Sequence, residues 1–357
     1  MFQKKLSLKV LSPTIIASSE KLSAYDIFHD NDTNTVRVVD LDSITSDDVM
    51  KELKNAMDRC VSTARNWIDE YSYDHLQKLY KSISEKQELF FSNRILNKLS
   101  MKKQKNSINV QIHHKIGKEL IPYIPGSSVK GFARHSILKF YIQNGGKASV
   151  LKCLSDKKPD KVGNYKECLT SEFLYDSEER NQKLESSYRD VFKFVQVSDF
   201  VPENYTLSLR DIARKRSRGS ISSGGLTGIS QRCIMIESGT FSGSLAITLP
   251  SSGDHWKRVA ERFCVLLAFR NDFKDKEEAE KAILIRLLDV LHKIWEKDGF
   301  HVGYGTGSLY KSIAGEAPEF RKIYEDNQKK KGRWPPQTYY ITSEDKRLGL
   351  VSLEEKK

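Results

Sequence analysis

The chain has 357 residues, 38% of them hydrophobic and 30% charged, enough to bury one large core or two smaller ones. Lys and Arg number 59 against 47 Asp and Glu, a formal net charge of +12 with a pI near 9.2, which points to a polyanionic partner and away from a basic one. No stretch approaches the roughly 20 uninterrupted apolar residues of a membrane span, and Lys9 interrupts the N-terminal apolar run that a secretory signal would need. Five scattered cysteines, Cys60, Cys153, Cys168, Cys233 and Cys264, form no CxxC pair; that usage fits a reducing cytoplasm and no metal site.

In chain order, residues 5–11 (KLSLKVL) alternate in polarity and stop at Pro13, the pattern of a first strand, and 36–41 (VRVVDL) repeats it. From 47 to 99 the period turns helical, with Leu53, Met57, Val61 and Trp67 on one side, Ser46 as the cap, and Asp47 and Asp48 in the first turn. This block reads as an insertion beside a sheet. A helix follows Gly126 with Val129, Phe132, Ala133, Ile137, Phe140 and Tyr141 in a stripe, ending at Gly145-Gly146. Residues 146–187 are polar loops with short helices, 190–200 and 231–249 are strand-like, and helices are expected near 254–270 and 276–298. A Gly-rich segment, 301–308, precedes a hairpin over 338–351. The order of strands and helices predicts an α+β chain of two ferredoxin-like (RRM-like) halves, 1–200 with the helical insertion and 201–357 with the Gly-rich loop and terminal hairpin.

The segment 121–134, IPYIPGSSVKGFAR, combines three devices that suit phosphate. Gly126 permits close backbone approach, Ser127 or Ser128 can cap a helix whose free N–H groups attract anions, and Lys130 and Arg134 share a helix face four residues apart, outside the apolar stripe. An ordinary Pro-Gly turn before an amphipathic helix fits the same letters. Charge favours the first reading: residues 101–140 hold eight Lys/Arg against Glu119, and 207–233 hold six against Asp211, which together account for the whole positive excess. Within the second segment lies ARKRSRGSISSGGLTG (213–228), too polar to fold alone, whose Arg214, Lys215, Arg216 and Arg218 are set to wrap a polyanion. Gly303, Gly305, Thr306, Gly307 and Lys311 suggest a second backbone cradle lining the same groove; the GYGTG letters lack the strand–turn–helix setting of a dinucleotide site. No pair of surface aromatics for base stacking is evident.

A nuclease is the rival reading. Metal-dependent cleavage wants clustered carboxylates, and Asp30, Asp32, Asp40, Asp42, Asp47 and Asp48 are read more simply as loop polarity and helix-start charge. A metal-independent endoribonuclease would use His113, His114, His135 or His301 near a phosphate turn. The expectation is no catalytic residue, no cofactor and no metal.

With IPGSSVKGFAR (124–134), VSDF (197–200), IESGTFSGSLAI (236–247), GYGTGSL (303–309) and RLGLVSL (347–353) in that order, the chain resembles a RAMP-superfamily subunit of a type III CRISPR–Cas effector. Within the superfamily the likeness is greatest to the fifth-subunit family of the type III-A Csm complex, though other RAMP backbone subunits share these blocks. The resemblance implies RRM-like halves, a basic hairpin or thumb near 213–228, and RNA gripped through its backbone. It further implies a non-enzymatic cytoplasmic subunit that caps the 3′ end of a crRNA filament in antiviral defence. Its partners would be crRNA, neighbouring RAMP and small helical subunits, target RNA and maturation nucleases. Where members commonly carry Leu-His-Ile-Gly-Ser-Gly after strand one, this chain has Pro13–Ser19 without His or Gly. Asp26 is the nearest counterpart of the aspartate by which a relative cuts RNA, and cleavage is not carried over to it.

Overall fold

The computed structural model describes residues 2–61, 70–90, 94–99, 109–156, 171–175, 189–216, 227–251, 253–270, 272–303, 318–320, 322–323, 326, 338–342, 344 and 346–356; at 61, 70, 155–156, 214–216, 227–230, 297–298 and 338–340 it is the backbone that is described. Strand β1 (Gln3–Val10) alternates as its sequence does, with Leu6, Leu8 and Val10 buried and Lys5 and Lys9 exposed. The strands that follow are β2 (Ala17–Ser23), β3 (Ile27–Asp30), β4 (Thr35–Val38), β5 (Ile95–Asn97), β6 (Asn109–His113), β7 (Lys115–Ile116) and β8 (Ile121–Pro122). After them come β9 (Val195–Val197), β10 (Val201–Arg216), β11 (Thr227–Ile247), β12 (Phe300–His301), β13 (Thr338–Thr342) and β14 (Leu350–Glu355). The helices are α1 (Asp47–Val61), α2 (Glu70–Ser84), α3 (Gly126–Tyr141), α4 (Lys147–Asp156), α5 (His255–Leu267) and α6 (Lys276–Asp298).

Twelve of the described strands join one mixed sheet with the path β12-β14-β1-β11-β10-β5-β4-β3, while β2 and β6, β9 and β13 attach to its sides. The pairing crosses the chain: β1 lies antiparallel between β11 (Leu6↔Gly243) and β14 (Leu8↔Leu353). Helices α3, α5 and α6 cover one face, where Leu6, Leu8, Phe241, Leu245 and Val351 meet Val129, Ala133, Phe263, Ile283 and Leu287 in a single apolar cluster. The other face of β1 carries Lys5, Ser7 and Lys9, so the sheet is amphipathic in the manner of a two-layer α+β fold.

Ser46 caps α1 as expected, its Oγ accepting from the Val49 amide at 3.4 Å. Helices α1 and α2 pack on each other and on the β3–β4 edge through a second cluster, including Leu53, Ala56, Leu76 and Tyr80. The helical period of 47–99 does not run to its end: Ile95–Asn97 is a strand held parallel to Leu207–Leu209 of β10. Three residues are too few to print a period, so pairing alone makes them a strand. In 190–200, Asp190 caps a short 3-10 turn (Val191–Phe194) before β9 begins. The hairpin over 338–351 is short: Ile341 and Arg347 form one antiparallel bridge. A tight turn is present, with Thr342 N donating to Lys346 O at 3.0 Å, but β13 then pairs β10 and β14 pairs β1 and β12.

Candidate nucleic-acid interface

Helix α3 starts at Gly126 for a reason different from the one its sequence suggests. Pro125 is the N-cap residue and no side chain of the first turn caps the helix, so Ser127 and Ser128 are not caps; Ser127 is exposed and Ser128 half-buried. The Gly126 amide donates instead to Asp199 Oδ1 at 2.8 Å. A Cβ on Gly126 would come within 2.5 Å of the Ser198 carbonyl oxygen and closer still to that of Val197. Its close approach is therefore to the chain's own 197–199 segment. Ile124 and Phe200 exchange both backbone bonds (3.0 and 2.9 Å), the Phe200 ring covers Gly243, and Ser198 Oγ accepts from Ser244 N at 2.8 Å. The blocks IPGSS, VSDF and SGS thus interlock in one joint between α3 and the sheet. A carboxylate already holds the amide that a phosphate would seek, which corrects the cradle reading of Gly126.

Lys130 and Arg134 do share a face, and Phe132 shows which one. Two residues from each, it sits about 200° around the helix, and its ring stacks on Phe300 at 4.1 Å and leans on Trp295 at 5.7 Å. The two cations therefore look away from β12. Arg134 Nη1 donates to Asp190 Oδ2 at 2.6 Å, and its guanidinium lies 4.5 Å from the Phe173 ring centroid and 5.5 Å from that of Phe192. Arg134 is thus part of the packing although it lies outside the apolar stripe of the helix. Burial lowers the Lys130 ammonium below its usual range, and the Arg134 charge adds to this while Asp190 opposes it.

Gly303 lies elsewhere. Its φ of +87° is open to glycine, and a Cβ would overlap the backbone of Ile15. Around it the loop after β1 meets the C-terminal segment: Val302 N donates to Gly349 O at 2.8 Å, Gly349 N to Pro13 O at 2.9 Å, and Thr14 pairs with Ile236. Gly126 meets β11 near Ser244 and Gly303 near Ile236, eight residues apart, about 25 Å along a strand. The two glycine turns therefore reach the sheet at separate places along β11. Gly305, Thr306, Gly307 and Lys311 lie outside the described residues.

The basic segment is a hairpin flank, as expected. Arg214, Lys215 and Arg216 end β10, where Arg214 pairs with Thr227 of β11 and, on the other side, with Tyr340 of β13; Arg218 lies outside the described residues. Two further cations counted in this segment are internally neutralised. Arg210, its side chain 1% exposed, donates to Glu237 at 2.7 and 2.8 Å and to Glu344 at 3.1 Å, while Arg232 pairs with Asp211 at 3.3 Å. Burial alone would raise the Glu237 carboxyl, but the bonds from Arg210 and Ser208 outweigh it and hold it below the usual range.

The histidines considered for catalysis sit in structural places. His113 is fully buried with its ring nitrogens at 3.4 and 3.0 Å from the carbonyls of Ile234 and Leu120, and burial lowers its pKa. Burial, with Lys139, lowers His135 to about 4, and His301 Nδ1 is 3.0 Å from Leu348 O. His114 packs against Tyr123. Asp26 forms a capping box with Ser23, and burial raises its pKa. Among the described residues no three His, Cys, Asp or Glu are grouped to hold a metal ion, and no described helix is long and apolar enough to cross a membrane. The sequence reading missed Tyr175, Phe194 and His255, partly exposed rings drawn from three distant segments; no local spacing could have marked them.

One large mixed sheet with helices on a single face and a long basic hairpin at its centre defines an α+β class of fold. The sequence profile of the RAMP superfamily matches residues 7–310, and the chain belongs to that superfamily. Over 99% of its length it is similar, at 16% identity and a TM-score of 0.63, to all of one chain in a cryo-EM structure of a Csm–crRNA–target RNA ternary complex of a type III-A CRISPR–Cas system. Over 97% of its length it is similar, at 16% identity and a TM-score of 0.56, to 99% of the crystallised T. onnurineus Csm5. No curated protein matches the chain.

Proposed function

We propose that this protein is a non-enzymatic, crRNA-binding structural subunit of a type III-A Csm effector that caps the 3′ end of the crRNA filament. The observation that carries the reading is the end-to-end likeness in fold to a chain of a Csm–crRNA–target RNA complex, with neither chain leaving a substantial part unmatched. The hairpin β10–β11, bearing Arg214, Lys215 and Arg216, supports a backbone grip that positions RNA without reading its sequence, as a subunit accepting any spacer requires. Ser127, Ser128 and Lys130 would add contacts at the start of α3, and Arg218, Gly305, Thr306, Gly307 and Lys311 are carried as further candidates. Neighbouring RAMP subunits and small helical subunits would dock on it, and maturation nucleases would be recruited in the cytoplasm.

The rival endoribonuclease gains no support from His113, whose ring nitrogens both face backbone carbonyls, or from His135, held neutral by burial. The test is the RNA that co-purifies with the full chain expressed beside its CRISPR locus. Molecules with a repeat-derived 5′ end and a common 3′ boundary are expected, and random cellular RNA would refute the role. Labelled RNA incubated with the protein in EDTA is expected to stay intact; cleavage that His113→Ala, His135→Ala or His301→Ala abolishes would establish the enzyme instead.

A further inference from the structure

Helix α3 contains a glycine that its own fold does not need. A Cβ on Gly126 would overlap the Val197 and Ser198 carbonyls, and one on Gly146, just beyond the helix, would overlap the Tyr141 ring. Gly131, in the second turn, is exposed, and a Cβ there would meet nothing within 4 Å. Its φ is not positive, so no left-handed turn calls for glycine either. Glycine in the exposed middle of a helix is less stable than alanine, because it has more backbone freedom to lose. Nothing inside the fold offsets that loss, so the reason for Gly131 lies outside the chain: something approaches the helix backbone more closely than a Cβ would allow.

The surroundings of Gly131 indicate what comes close. Ser127, Ser128, Arg134 and His135 lie within about 60° of it around the helix, and Lys130 about 100° away. Neither serine caps the helix, so the first turn does not engage their hydroxyls, and Ser127 is exposed. Arg134 is turned to Asp190. Among the described residues, none of the large apolar side chains left exposed lies on α3. The centre of a protein–protein interface is enriched in aromatic residues and depleted in Ser and Lys. Hydroxyls and lysine are the usual donors to phosphate and sugar oxygens. A helix face of two hydroxyls, one lysine and a bare stretch of backbone therefore suits a ribose–phosphate strand.

We propose that the ribose–phosphate backbone of RNA crosses α3 at Gly131, in van der Waals contact with the helix backbone, with Ser127, Ser128 and Lys130 on its phosphate and sugar oxygens. This deepens the RNA-binding reading above and rests on it. Gly131 acts by leaving room. It is the outward counterpart of Gly126, whose close approach is to the chain's own 197–199 segment.

The test titrates a short fluorescein-labelled oligouridine with the full chain, as wild type and as Gly131→Ala, Gly131→Ser and Gly131→Leu, and melts each by calorimetry. Gly131→Ala is expected to weaken binding on the order of tenfold, and Gly131→Leu further. Neither is expected to lower Tm, and alanine is expected to raise it by about 1 °C through helix propensity alone. Gly131→Ser brings a hydroxyl with its Cβ and is expected to lose affinity as alanine does, because the obstacle is steric. Wild-type affinity in Gly131→Leu would overturn the crossing while leaving the RNA-binding role intact. If that variant also lost the Csm subunits that co-purify with the wild type, the face would belong to a protein neighbour and the crossing would equally fall. A Tm lowered by several degrees in Gly131→Ala would reveal an internal contact and overturn it too. Absence of wild-type binding to oligouridine would remove the RNA-binding role and the crossing together.

Discussion

Replacing Gly126 by alanine separates a structural joint from a phosphate cradle. The added Cβ meets the Ser198 carbonyl oxygen at 2.5 Å, so α3 and the 197–199 segment must part by about half an ångström or more. Overpacking of that kind costs about 1–3 kcal/mol, and stretching the bond from Gly126 N to Asp199 Oδ1, charge-assisted and 2.8 Å long, adds about 1.5–3 kcal/mol. A loss near 4 kcal/mol, divided by an unfolding entropy of about 2.1 cal/mol/K per residue over the 357-residue chain, lowers Tm by about 5 °C for cooperative melting. Differential scanning calorimetry reads this directly, and Asp199→Ala is expected to give roughly half the drop. At a temperature where the variant is folded, its RNA affinity is expected to match wild type. Unchanged Tm with weakened RNA binding would refute the joint and restore Gly126 to the interface.

Arg210→Ala strands the Glu237 carboxylate in the sheet and is expected to cost about 3 kcal/mol, read as a shift in the urea midpoint. Because Glu237 is held below its ordinary value, the stability it contributes is present above about pH 4.3 and is lost as pH falls through the folded value; in Arg210→Ala this part of the acid limb of a Tm-versus-pH series is expected to shrink. His135, neutral in the fold with its pKa lowered to about 4, contributes stability that is full above the unfolded value of about 6.5 and declines as pH drops from there toward 4; His135→Gln is expected to flatten that window. Replacing Arg214, Lys215 and Arg216 together by alanine is expected to weaken RNA binding for all sequences and to reduce the salt slope by about 2, at roughly 0.7 per phosphate on a single strand; an unchanged slope removes the hairpin from the interface. Lys130→Ala is expected to take off about 0.7 alone, with Tm unchanged.

Much of the fold is legible in the letters. The alternation of β1, the capped start of α1 at Ser46, the stripe of α3 and the two C-terminal helices all follow from patterns that local chemistry enforces. The five ordered motif blocks carry the superfamily. Less legible was the reason for those motifs. Gly126, Asp199, Phe200 and Gly243 each invite a ligand explanation when met alone, and they serve one another across more than a hundred residues of chain. Arg210 inflated the apparent basic footprint because the net charge of the 207–233 window leaves out Glu237 and Glu344, which lie beyond it in sequence and beside Arg210 in space.

The sequence alone determined the element periods, the positive excess and the membership of a family, because these depend on residue type and on neighbours within a few positions. The tertiary structure decided which glycines face inward, which cations stay in water, and that Tyr175, Phe194 and His255 stand together. The physical reason is that side-chain periodicity fixes a face, whereas strand pairing and packing decide what that face meets.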